Sequence, residues 1–250
     1  MRISILAAAL IVLTAPAAHA AYEAGEVADG GTLTGVVRFT GPPPRPAPLV
    51  VSRDRQVCGE QQASEALVVG PDGGVRGGVV FLEGVRRGKK PAGEVVLDTR
   101  GCRFVSHVSA LVAGERARVK NSDAVVHNTH GLAGTSSVFN LALPHKEQVI
   151  DITRRLTTPG VVRVVCEAHP HMSAWIVVHD SPYVAVTDDH GAFRLDGIPA
   201  GTYRVSLWHE GFRTARVDRD GRTRYENGRT ISRDVTIAPK SAATIEFELK

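Results

Sequence analysis

Methionine is nearly missing from this chain. Of two in 250 residues one is Met1, so Met172 is the only methionine within the sequence. Aromatic residues are few, at 5%, whereas Gly (25) and Pro (14) are plentiful. No stretch has the length and periodicity of an amphipathic helix. What remains is a series of short Val-rich runs between turn signals, the pattern of an all-β protein. Beyond residue 20 no apolar run is long enough for a membrane span. The net charge of +4 is spread along the chain. No basic block interleaved with aromatics is present, which argues against a nucleic-acid partner. Catalytic signatures are missing as well. There is no H-E-x-x-H and no G-x-S-x-G, and the glycine-rich stretch Gly70–Gly78 lacks both G-x-G-x-x-G spacing and a following helix. The chain is therefore not read as an enzyme.

What is present begins with a leader. Arg2, the apolar run Ile3–Leu13 and the A-x-A site Ala18-His19-Ala20 form a secretory signal, with cleavage expected after Ala20. The product is expected to be periplasmic or secreted. An oxidising compartment gives meaning to the cysteine count, which is three and odd. One pair and one thiol kept for chemistry is the simplest reading. Cys58 is paired with Cys102, and Cys166 remains free.

Cys166 lies in Val161–Met172, VVRVVCEAHPHM. Val162, Val164 and Cys166 share one strand parity, so the thiol should be delivered inward at a strand end. C-x-x-H-x-x-M then presents a thiolate, an imidazole and a thioether at three-residue intervals. Such donors suit copper cycling between two oxidation states, bound by two histidines, one cysteine and a weak axial methionine. The second imidazole must come from elsewhere, and Asn121–Gly131 (NSDAVVHNTHG) offers His127 and His130. Zinc accepts the same Cys and His donors. A dinuclear copper centre would need a second loop cysteine, where this chain has Pro170. His107, with His145, His171 and His179, keeps an alternative metal site open.

These two segments together resemble the small blue copper proteins, the cupredoxins, and most closely those of amicyanin type. CEAHPHM is similar to the short C-x-x-H-P-x-M loop of that family, and VKNSDAVVHNTH to the segment carrying its first histidine. The resemblance covers roughly Cys102–Asp180. It implies His127, Cys166, His169 and Met172 as ligands of one copper per chain, with Asn128 bracing the ligand loop. From Tyr183 the sequence VTDDHGAFRLDGIPAGTYRVSL resembles carboxypeptidase regulatory-like domains, which are transthyretin-like β-sandwiches. That region lacks the first strands of such a module, and Thr32–Thr40 and Gly78–Leu82 are candidates to supply them. The whole arrangement is similar to exported chains labelled methylamine utilization proteins.

The expected fold is thus all-β: a Greek-key cupredoxin-like sandwich plus a smaller carboxypeptidase regulatory-like sandwich. The expected division is a signal peptide at 1–20, an N-terminal β segment at 21–65, a copper domain at 66–180 and the second sandwich at 181–250. Within the copper domain, Leu132–Leu143 reads as a loop or short irregular strand. The expected function is electron transfer, with a redox protein partner (a cytochrome or dehydrogenase) docking near an exposed His169. Copper storage or delivery through the extra histidines, and a metal-free structural module, are the alternatives.

Overall fold

The computed structural model describes residues 22–250; the leader at 1–20 lies outside the described residues. Strands dominate it, and among the described residues the only α-helix is the four-residue Arg55–Cys58. Among the described residues no helix is long and apolar enough to cross a membrane.

One sandwich packs a four-stranded sheet on a five-stranded sheet. The smaller sheet runs Phe104–Val105, Glu94–Thr99, Arg116–Asn121, Val149–Asp151. The larger runs Val108–Val112, Ser173–His179, Gly160–Val165, His127–Ala133, Ser136–Leu143. Alternation drives the packing, because side chains two apart share a face. Ala117 and Val119 from one sheet meet Val162, Val164, Cys166, Ala174 and Ile176 from the other in a single core. The expectation of an irregular 132–143 segment is corrected here. Ser136–Leu143 is an eight-residue strand, antiparallel to His127–Ala133. Its polar residues suit the outward positions of a sheet edge, and Phe139 lies across Gly131 from the facing strand, where an added Cβ would stand 2.5 Å from the ring.

The second sandwich is discontinuous. Its three-stranded sheet places Gly31–Phe39 between Ala192–Ile198 and Ala242–Leu249. Its four-stranded sheet runs Val184–Val186, Val79–Leu82, Gly201–His209, Arg229–Ile237. Leu33, Val37, Leu82, Val205, Leu207 and Phe247 share its core. Sheet pairing therefore departs from the expected division at residue 66, since Val79–Leu82 belongs to the second sandwich. Conversely, Val51 and Cys58 from the N-terminal segment pack into the first core.

The two sandwiches stack. Val108 and Val177, on the back of the five-stranded sheet, meet Val79 and Trp208, on the back of the four-stranded one. Covering the five-stranded sheet on both faces explains why Val164–Cys166 and Ile176–Val178 are apolar and buried at successive positions, as buried strands are.

Candidate metal centre

Three polar side chains converge at one end of the first core. His127 is the first residue of its strand, and the burial of His127, Thr129 and Gly131 alternates with half-exposed Asn128 and His130. Cys166 follows the strand Gly160–Val165 and is fully buried. The loop after it closes on itself: the Met172 amide donates to the His169 carbonyl (3.0 Å) and the Cys166 amide to the Met172 carbonyl (3.3 Å). This turn brings His169 back over the thiol. His127 Nδ1 is 3.9 Å and His169 Nδ1 3.6 Å from Cys166 Sγ. Met172 is buried in the same core.

Each ring is oriented from behind by a carboxylate. His127 Nε2 lies 3.0 Å from Asp123 Oδ2, and His169 Nε2 lies 2.9 Å from Asp54 Oδ2. Donation of Nε2–H to the carboxylate leaves the Nδ1 lone pair of both rings facing the sulfur, the arrangement that second partners impose on metal-binding histidines. Asp123 is held in turn, accepting from the amides of Gly101 (2.7 Å) and Cys102 (2.9 Å). Asp54 precedes the short helix Arg55–Cys58, which is tied down by a disulfide between Cys58 and Cys102 (Cα–Cα 5.2 Å).

Asn128 links the two segments. Its amide points at Cys166 Sγ (3.4 Å), its side-chain oxygen accepts from the Glu167 amide (3.4 Å), and its Nδ2 donates to Asn140 Oδ1 (2.7 Å). Burial pushes the Cys166 thiol above its ordinary range, and the Asn128 amide pulls against it. Burial holds the His127 imidazole down, with the Asp123 hydrogen bond opposing. His171 is buried beside His169 and pushed down to about 4, chiefly by burial. Its Nε2 meets the Cys102 carbonyl (3.1 Å), while Nδ1 has no hydrogen-bond partner.

His127, Cys166 and His169 thus form a buried group whose donor atoms all lie within 4.8 Å of one another, able to hold one metal ion. A second grouping, Cys102, Asp123 and His127, is spent: Cys102 is in the disulfide and Asp123 already orients His127.

The expected alternatives lie elsewhere. His130 stands three residues from His127, hence on the other face of the strand, with Nδ1 to Glu167 (2.7 Å) and Nε2 to Ser137 (3.1 Å). His107 faces the Ser173 carbonyl (3.0 Å) and the Glu210 carboxylate at the junction of the sandwiches. Neither joins the cluster. The expectation of an exposed His169 is also corrected: the ring is fully buried, its outer nitrogen covered by Asp54. Reading the sequence missed Asp54, Asp123 and Arg222, a buried guanidinium that reaches the carbonyls of Cys166 (2.8 Å) and Met172 (3.3 Å). Only Asp123, four residues before His127, carried a local signal.

Residues 160–250 match the family model of the carboxypeptidase regulatory-like domain. The carboxypeptidase regulatory-like region so defined includes the last two strands of the first sandwich as well as most of the second. In structure the chain is similar to amicyanin from Paracoccus versutus, at 21% identity and a TM-score of 0.30, covering 46% of this chain and 93% of that one. It is similar to a purple cupredoxin from Nitrosopumilus maritimus, at 15% identity and a TM-score of 0.30, covering 35% of this chain and all of that one (100%). It also matches a copper-containing nitrite reductase from Thermus scotoductus, at 19% identity and a TM-score of 0.30, covering 36% of this chain and 25% of that one. A comparison with curated proteins found no match.

Proposed function

We propose that this chain is an exported type 1 (blue) copper protein that carries single electrons between redox proteins. His127, Cys166 and His169 would hold one copper, with Met172 as the weak axial donor. The observation that carries this reading is the approach of two imidazole Nδ1 atoms to one buried sulfur, at 3.9 and 3.6 Å, while a carboxylate takes each Nε2. Copper bound by such donors supplies one-electron chemistry by alternating between two oxidation states.

The protein's own part is to prepare the donors. Asp123 and Asp54 fix the ring tautomers, so no imidazole need turn when metal arrives. The Asn128 amide points at the sulfur and steadies it as a thiolate, and the sealed core keeps water away from it. Two strand ends and one closed loop hold the donors, so little moves on gain or loss of an electron. A redox partner would meet the His169 side of the molecule through Asp54, whose side chain is 47% exposed. Because the thiol must lose its proton and burial opposes that loss, metal uptake should release a proton and weaken as pH falls.

The test is a copper titration of the mature chain followed by visible absorption. An intense sulfur-to-copper band saturating at one copper per chain is expected, and Cys166→Ser should abolish it. A wild-type chain that holds its copper as Cu(II) and shows no such colour would overturn the reading.

A further inference from the structure

Arg222 belongs to the second sandwich in sequence and to the ligand loop in space. It follows the turn joining the strands Thr214–Val217 and Thr223–Tyr225, a hairpin paired only with itself. That turn is well fixed. The Gly221 amide donates to the Asp218 carbonyl, the Asp218 amide to the Arg222 carbonyl, and Gly221 takes the left-handed φ of 86° that a glycine tolerates. The hairpin thereby sends the Arg222 side chain inward, where it is 3% exposed.

A buried guanidinium costs free energy unless its donors are used. Here they are spent on the carbonyls of Cys166 (Nη2, 2.8 Å) and Met172 (Nη1, 3.3 Å), the first and last residues of the ligand loop. Those residues are already joined, since the Cys166 amide donates to the Met172 carbonyl. Arg222 therefore closes a ring around the loop that carries Cys166, His169 and Met172. Two carboxylates sit farther off, Asp220 at 3.7 Å and Glu167 at 3.9 Å, both about half exposed (51% and 50%). Solvent screens them more than it screens the buried cation.

We infer that Arg222 is a positioning residue through which the second sandwich clamps the ligand loop and raises the reduction potential of the metal centre. The inference rests on the copper reading for its redox half only. The clamp places a fixed positive charge beside the centre, which favours the metal state of lower charge, Cu(I) over Cu(II). It also fixes both ends of the loop, so the donors keep one geometry in both states.

Two measurements on the full-length mature chain test it, each comparing wild type with R222Q and R222K. The first is amide hydrogen exchange across 166–172 without metal. Exchange in R222Q is expected to rise by about tenfold or more, reflecting local opening of the loop. R222K should fall between the two, because an ammonium is a point charge that does not reproduce the guanidinium fork. The second is the midpoint potential of the copper-loaded chain. R222Q should lower the Cu(I)-to-Cu(II) affinity ratio by about tenfold, a drop of about 59 mV, with R222K keeping most of the wild-type value. Unchanged exchange in R222Q overturns the clamp. Faster exchange with an unchanged potential overturns the tuning. Should wild type bind no copper while R222Q exchanges faster, the electron-carrier reading falls and the clamp stands. If R222Q does not fold, R222K decides: a loop that exchanges like wild type overturns the clamp, and a looser one supports it.

Discussion

His127 and His130 show how much one residue of parity decides. Both were candidate second imidazoles, and the resemblance to cupredoxins favoured His127. The strand His127–Ala133 provides the physical reason, since an odd spacing puts the two rings on opposite faces. Copper loading of His130→Ala is expected to keep one copper per chain and an unchanged visible band, whereas His127→Ala should lose the band. The carboxylates behind the rings were harder to read. Asp54 lies 115 residues before His169, and nothing local to either predicts their meeting. Asp123→Ala should weaken copper binding by about 10–100-fold, the usual effect of removing a partner that orients a metal-bound histidine. Competition with a Cu(I) chelator measures it. The same change strands the amides of Gly101 and Cys102, so the metal-free variant should also melt earlier than wild type.

Among the elements, strands with strict alternation were legible and those masked by small polar residues were not. Leu33 and Val37 mark Gly31–Phe39, and Ile245, Phe247 and Leu249 mark the last strand. Ser136–Leu143 hid because its inward positions are few and one of its pairings is an aromatic ring over a glycine. Gly131→Ala would drive a methyl group into the Phe139 ring, so a loss of about 1–3 kcal/mol is expected in denaturant unfolding. The short helix Arg55–Cys58 offered no pattern beyond its cysteine. Its disulfide to Cys102 spans 44 residues, and removing such a bond costs about 2–4 kcal/mol. The double variant Cys58→Ser, Cys102→Ser should therefore unfold at lower denaturant. It should also admit solvent to His169, seen as faster exchange in the ligand loop.

For the whole molecule, the two sandwiches were readable as two compositions, but their boundary was not. Val79–Leu82 was a candidate strand for the second sandwich although it falls inside the expected copper domain, and its pairing with Val184–Val186 and Gly201–His209 assigns it. The junction holds a set of buried histidines with a consequence for pH. Burial holds His179 and His209 below the ordinary value of 6.5. Burial acts on His107 in the same sense, but the Glu210 carboxylate outweighs it and the net shift is upward. A lowered imidazole contributes stability above its unfolded value, and that contribution is lost as pH falls through the folded value. A raised one contributes below its unfolded value and loses that contribution as pH climbs through the folded value. The melting temperature is therefore expected to peak near neutrality and to fall as pH drops below the ordinary imidazole value of 6.5, as His179 and His209 are forced to charge. His209→Gln should flatten that acid limb, which calorimetry across the range would reveal.

The strand Gly31–Phe39 has both its neighbours, Ala192–Ile198 and Ala242–Leu249, at the far end of the chain. During synthesis it leaves the ribosome long before either exists, and its pairing edges must wait through the making of the whole first sandwich. Contacts this distant along the chain slow folding. A cell making this protein must keep that early segment from pairing with another chain until both partner strands exist.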